Sequence, residues 1–294
     1  LLHFGAVDQA CVIYINGKRA ASHTGGYLPF EADISEFIFD GENELLLAVK
    51  DLSDTSYHSR GKQKLERGGM FYTAQSGIWQ TVWMEEVPGN YISEIEAVSD
   101  IDRSTVRIKV KAAGADCTNV TGADCTNASG ERTDSAKTLP VEIQVKKPDI
   151  YLDPVKMSVS GAAEGQSSED VSRTAAEEQS CREILCTAAG VAGEWLEIPI
   201  PGAFLWTCDE PWLYYFTVKM GEDRVESYFA MRKFSVEKDE KGIPRICLNG
   251  QPQFQNGVLD QGYWSDGLYT APSDEAFIFD IREMKKTGFN MVRK

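Results

Sequence analysis

The sequence predicts a mainly β protein in which two β-sandwiches follow one another and a β/α unit closes the chain. Three observations carry that reading. Short runs rich in β-branched and aromatic residues recur between turn signals over residues 1–236, as strands of sandwiches do. Two stretches, 112–139 and 159–180, lack the composition of a core. From Arg245 onward the order becomes strand, helix, strand, which no sandwich needs.

The first block, residues 1–88, reads as β throughout. Cys11-Val-Ile-Tyr-Ile15 runs into Asn16-Gly17, the dipeptide whose positive φ values suit a type I′ hairpin, and Lys18-Arg19-Ala20 begins the return strand. Further strands are expected over 44–50 and 77–85. The second block, 89–236, opens with strands at 92–98 and 104–110, the latter alternating Val106, Ile108 and Val110. Strands at 195–200, 213–220 and 226–234 bring it to the size of an immunoglobulin-like sandwich.

The two non-core stretches read as long loop insertions in that second block. Gly-Ala-Asp-Cys-Thr-Asn occurs twice, at 114–119 and 122–127, and the duplication creates Asn119-Val-Thr121 and Asn127-Ala-Ser129. Both triplets match the N-glycosylation acceptor pattern, but a replication slip without glycans explains them more simply.

The third block, 237–294, carries a hairpin at Asn249-Gly250, a short strand over 255–259, and then a helix. Ser273 is its expected N-cap, Asp274 and Glu275 favour the positive end of the helix dipole, and Lys285 and Lys286 suit the other end. Phe277, Ile278, Ile281 and Met284 recur at helical spacing, Gly288 ends the helix, and Phe289-Asn-Met-Val292 starts the next strand.

Composition narrows the chemistry. At 294 residues and 42% hydrophobic content the chain holds two or three domains with real cores. A net charge of −15 repels phosphate backbones and anionic lipid surfaces, so neither nucleic acid nor a membrane is an expected partner. No apolar run approaches the roughly 18 residues of a membrane helix. The seven cysteines show no C-x-x-C pair and read as mostly reduced thiols. His3, His23 and His58 are scattered, and Ser76 lacks the G-x-S-x-G pattern, so metal and serine-nucleophile chemistry are set aside and no cofactor is expected.

Two groups of segments stand out: Gly25-Gly-Tyr-Leu-Pro-Phe-Glu-Ala-Asp-Ile34 with Ser76-Gly-Ile-Trp-Gln-Thr-Val-Trp83, and Asn249-Gly250 with Asn256-Gly-Val-Leu-Asp-Gln-Gly-Tyr-Trp264 and Gly288-Phe-Asn-Met-Val-Arg293. The first group is similar to the N-terminal jelly-roll domain of family 2 glycoside hydrolases, the β-galactosidase and β-glucuronidase group, and the second resembles that family's entry into its catalytic barrel. The resemblance implies a jelly-roll, galactose-binding-like sandwich at 1–88, its opening strands missing. An immunoglobulin-like sandwich at 89–236 and the first β/α unit of a TIM (β/α)8 barrel at 237–294 follow.

It also implies a retaining enzyme acting on β-linked sugars, with two glutamates about 5 to 5.5 Å apart. Both are expected beyond Lys294, so no catalytic residue is expected in this chain, which is read as an inactive fragment. A β-glycoside is the implied partner, and a homo-oligomer of the full-length enzyme is compatible with the resemblance. A cytoplasmic location is favoured, with secretion left open because the chain starts at Leu1. The competing reading is a non-catalytic carbohydrate-binding or adhesion protein built of sandwiches, and the β/α unit discriminates against it.

Four residues are the site candidates. Asp260 and Gln261 follow the first barrel strand and Arg293 ends the second, the face where barrel enzymes build their sites. Arg293 is suited to hold a nucleophilic carboxylate charged and oriented, and Asp260 and Gln261 to bind sugar hydroxyls. Trp264, with Tyr263, offers an aromatic surface for a sugar ring, although packing at the rim is the commoner use of such rings.

Overall fold

The computed structural model describes residues 1–114, 139–150 and 183–294. Both acceptor triplets, the Ser/Ala/Glu-rich stretch, and Cys117, Cys125 and Cys181 lie outside the described residues. Cys11, Cys186, Cys208 and Cys247 are free thiols. The chain forms two compact units, Val87–Phe254 and a unit that joins Leu1–Glu86 to Gln255–Lys294.

In the first unit Ala10–Ile15 is the central strand of an antiparallel trio with Lys18–Thr24 and Leu45–Lys50. Its alternation sends Cys11, Ile13 and Ile15 inward. Asn16 and Gly17 take φ of 51° and 75°, so the expected hairpin forms. The Asn16 side chain then fixes the neighbouring loop, donating to the Phe37 carbonyl at 2.9 Å and accepting from the Glu44 amide at 2.9 Å. A second trio sets Leu2–Phe4 between Phe30–Ala32 and Val82–Met84. Leu2, Phe4 and Ala32 share one buried cluster with Cys11, Ile13 and Ile15, so the two small sheets close over a common core.

The expected strand over 77–85 is broken into two pieces. Gly77–Ile78 pairs with Val7–Asp8, while Val82–Met84 pairs with Leu2–Phe4. The break falls at a close approach: at Gly5, midway along the partner, a Cβ would lie 2.7 Å from the Gln80 Cβ. Both chains bend there, and the Gly5 amide bonds the Thr81 carbonyl at 2.9 Å.

In the second unit, Asn90–Asp100, Thr105–Gly114 and Trp195–Pro199 form one antiparallel sheet. Trp212–Met220 centres another, pairing with Pro140–Lys146, Asp149–Ile150 and Asp223–Phe229; Ile184–Val191 pairs with Pro140–Lys146. Val106, Ile108 and Val110 from the first and Ile143, Phe216 and Val218 from the second are buried together, which is sandwich packing. The strand Phe234–Lys238 runs through position 236 and pairs with Pro244–Leu248, so residues 237–254 stay with this unit, and only the segment from Gln255 joins the first.

That segment is a β/α unit. Gly257–Leu259 and Met291–Arg293 pair in parallel, with the helix Asp274–Lys286 between them. Ser273 sits at the N-cap, but its hydroxyl makes no cap hydrogen bond. Gly288, at φ 94°, closes the other end: its amide bonds the Lys285 carbonyl and Phe289 bonds Met284. None of the helix residues is buried, and Phe279 and Ile281 are 63% and 59% exposed.

Candidate functional site

The parallel register places the charged candidates. Leu259 lies opposite Arg293, the Asp260 amide bonds the Arg293 carbonyl at 3.0 Å, and one step further Asp260 meets Lys294. Asp260 Oδ2 accepts from Lys294 Nζ at 2.7 Å, and Asp260 Oδ1 accepts from the Gly262 amide at 2.7 Å. The Lys294 ammonium holds the Asp260 carboxyl below the usual range, helped by the Gly262 N–H and opposed by partial burial. Gly262, at φ 63°, is required by the turn, and a Cβ there would meet Lys294 Nζ at 2.9 Å. Gln261 and Arg293 are exposed.

The two aromatic candidates are used differently. Tyr263 stacks on Tyr72 at 4.3 Å with planes 13° apart, and its hydroxyl donates to the Thr73 carbonyl. Trp264 meets Phe277 of the helix edge to face at 5.6 Å, and its indole N–H is buried without a hydrogen-bond partner among the described residues. Each ring thus has an aromatic neighbour, Tyr72 for Tyr263 and Phe277 for Trp264.

A cluster outside the predicted set, centred on Tyr269, binds the 255–294 segment to residues 1–86. Tyr269 lies against Trp79 at 5.1 Å and Tyr27 at 6.1 Å, and the Tyr27 and Tyr269 hydroxyls share a 2.9 Å hydrogen bond. The Tyr269 amide donates to Gln75 Oε1 at 2.9 Å, and the Gln75 amide donates to Gln63 Oε1 at 2.6 Å. Trp79 is itself oriented by donating its indole N–H to the Gly26 carbonyl at 2.7 Å. Gly61 leaves the space this needs: at φ 59°, its Cβ would lie 2.7 Å from the Tyr269 hydroxyl. Burial, then the Tyr269 hydrogen bond, pushes the Tyr27 phenol up.

Behind this cluster Asp8 is 2% exposed, with Oδ1 unpartnered among the described residues and Oδ2 at 3.4 Å from Gln63 Nε2. The signal was present in the sequence as a carboxylate inside Ala6-Val7-Asp8-Gln9-Ala10. Burial pushes its pKa up, the Asp51 charge adds to this, and Gln63 partly opposes it. A raised folded pKa means that the folded state holds its proton more tightly. Stability is therefore fully present below the unfolded value of 3.8 and falls as pH rises through the folded value. Asp8→Asn is expected to raise the melting temperature at pH 7 relative to wild type, with the gap closing near about pH 4. A pH-independent gap in thermal melts would contradict this.

A cleft of about 450 Å³ lies beside the aromatic cluster, lined by Ile78, Trp79, Thr81, Tyr269, Ser273 and Phe277. Among the described residues no three His, Cys, Asp or Glu side chains converge as metal ligands, and no helix is long and apolar enough to cross a membrane.

Comparison with known proteins gives this geometry its context. Residues 1–88 match the model of glycosyl hydrolases family 2, sugar binding domain. A putative β-glucuronidase of Formosa agariphila is 33% identical over 95 residues, covering 32% of this chain and 11% of that protein. A β-galactosidase of Leuconostoc mesenteroides is 23% identical over 294 residues, covering 99% of this chain and 24% of the relative. The chain thus spans between 11% and 24% of the length of these two relatives. Among solved structures, the β-glucuronidase of Bacteroides uniformis superimposes with a TM-score of 0.62 at 21% identity, over 100% of this chain and 31% of its own. A Ruminococcus gnavus β-glucuronidase in complex with D-glucuronic acid gives 0.64 at 17%, over 100% and 42%. At that identity the structures bear on the fold.

Proposed function

From the premise that this is a family 2 glycoside hydrolase polypeptide, β-galactosidase- and β-glucuronidase-like, we propose that it is the N-terminal portion of a retaining enzyme that cleaves O-glycosidic bonds of β-linked sugars. The observation that carries this is the parallel pair Gly257–Leu259 and Met291–Arg293 joined through a helix, in a chain whose residues 1–88 match the family's sugar binding domain. In this reading the pair is the start of a (β/α)8 barrel, and 87–254 is the immunoglobulin-like sandwich before it. The half-exposed Leu259, Phe279 and Ile281 are then surfaces for further barrel elements. A non-catalytic adhesion protein has no use for such a unit, and the relatives' names favour hydrolysis.

Within the barrel reading, Arg293 holds the nucleophilic carboxylate, Asp260 and Gln261 accept and donate to sugar hydroxyls, and Trp264 supports the mouth through Phe277. The chemistry needs two carboxylates about 5 to 5.5 Å apart on one sugar, and both are assigned to later barrel strands.

Two measurements on a nitrophenyl β-galactoside and a nitrophenyl β-glucuronide test the proposal. The enzyme carrying this chain with a complete barrel is expected to release nitrophenol with the β-anomer as first product by NMR. The 294-residue polypeptide is expected to release none. An α-anomer first product, or turnover by the short polypeptide, contradicts the proposal.

A further inference from the structure

The Asp260–Lys294 pair is built with more care than an exposed ion pair needs. Its partners are 25% and 56% exposed, and ion pairs this accessible contribute little to stability. Yet both Asp260 oxygens are engaged, Oδ2 by Lys294 Nζ and Oδ1 by the Gly262 amide, each at 2.7 Å. Lys294 is steered as well: its ammonium lies 5.4 Å over the Phe277 ring, and Phe277 carries Trp264 on its edge. Gly262 provides the clearance that a Cβ would remove. The carboxylate is held at both oxygens, and each keeps one lone pair for a further donor.

We propose that Lys294 is a positioning residue: it fixes the Asp260 carboxylate at the ends of the two parallel strands so that its remaining lone pairs accept sugar hydroxyls there. This rests on the reading of the β/α unit as part of a glycosidase. Among the described residues Asp260 accepts from Lys294, just past the second strand, and from the Gly262 amide of the following turn; the helix contributes the uncharged Phe277 ring beneath the Lys294 ammonium. Removing Lys294 therefore takes away the charge that favours ionised Asp260, and its titration moves upward.

Two experiments test this. In the 294-residue chain labelled with carboxyl-13C aspartate, Lys294→Met is expected to raise the titration midpoint of Asp260, and Lys294→Arg to leave it near wild type. In the full enzyme, Lys294→Met is expected to lower kcat/KM about tenfold, within the coupling range of contacting residues. The loss falls mainly on KM, and Lys294→Met adds nothing in an Asp260→Asn background. An unmoved midpoint, or losses that multiply in the double variant, overturns the inference. A wild-type enzyme silent on every β-glycoside, with the midpoint still moved, overturns the glycosidase reading instead and leaves the pairing established.

Discussion

Replacing Tyr269 with alanine is expected to cost the first unit about 2 to 4 kcal/mol, the range for truncating a large, partly buried aromatic side chain. The ring touches Trp79, Tyr27 and Tyr263, with centroids at 5.1, 6.1 and 5.5 Å. Aromatic pairs add about 0.5 to 1.5 kcal/mol beyond the area they bury. Its hydroxyl bonds Tyr27 at 2.9 Å, and removing it takes one partner from a phenol that burial has already made reluctant to ionise. Tyr269→Phe separates the two contributions, since it keeps the ring and loses about 1 kcal/mol for the hydroxyl.

Amide exchange over 255–294 is the appropriate readout, because that segment is held to residues 1–86 by this cluster. The alanine variant should exchange at strand Gly257–Leu259 and along the helix well before the core around Ile13 opens. Uniform exchange, unchanged from wild type, would show that the segment holds its place without Tyr269.

Features written in neighbouring residues were legible in the sequence. Asn16-Gly17 and Asn249-Gly250 adopt positive φ at both positions, 51° and 75°, 53° and 76°, because nothing distant competes with the turn chemistry. The helix begins after Ser273 and ends at Lys286 before Gly288, where charge and glycine signals placed it. The break at Gly5 and Gln80 was not legible. It falls where two distant runs approach at a glycine, and neither run carries a local sign of the other.

The candidate site divides along the same line. Asp260, Gln261 and Arg293 were singled out as strand-end positions, and the parallel register does put them at the ends of the two strands; Lys294 was within reach, since extending that register one step past Leu259 and Arg293 sets it beside Asp260. The aromatic cluster was not. Tyr27 and Tyr269 stand 242 positions apart, and the expectation of a separate domain over 237–294 hid the return of the last forty residues onto the first unit. Trp264 illustrates the remaining ambiguity, since the same indole serves a sugar face or a helix edge equally well in a one-dimensional reading, and its contact with Phe277 is a three-dimensional fact.

Arg293→Ala in the full enzyme is expected to lower kcat/KM by about 100-fold or more, comparable to losing one preorganised charge-assisted contact. The residue ends the second parallel strand, its carbonyl is tied to the Asp260 amide at 3.0 Å, and its side chain is exposed. An arginine so placed adds nothing to the core, so its loss should leave the melting temperature within about 1 °C of wild type, as for surface substitutions. Its proposed work is electrostatic. A guanidinium beside the nucleophilic glutamate favours the ionised form and fixes the oxygen that attacks. The deficit should therefore appear in kcat, with the acid limb of the pH profile moved upward. Arg293→Lys should recover part of the charge effect but little of the orientation, because an ammonium cannot present two parallel N–H donors. Lys294→Met is expected to act through Asp260 and mainly on KM, so the two variants should multiply when combined. Wild-type kinetics in Arg293→Ala would assign the side chain to the surface and leave the nucleophile to be held by other residues.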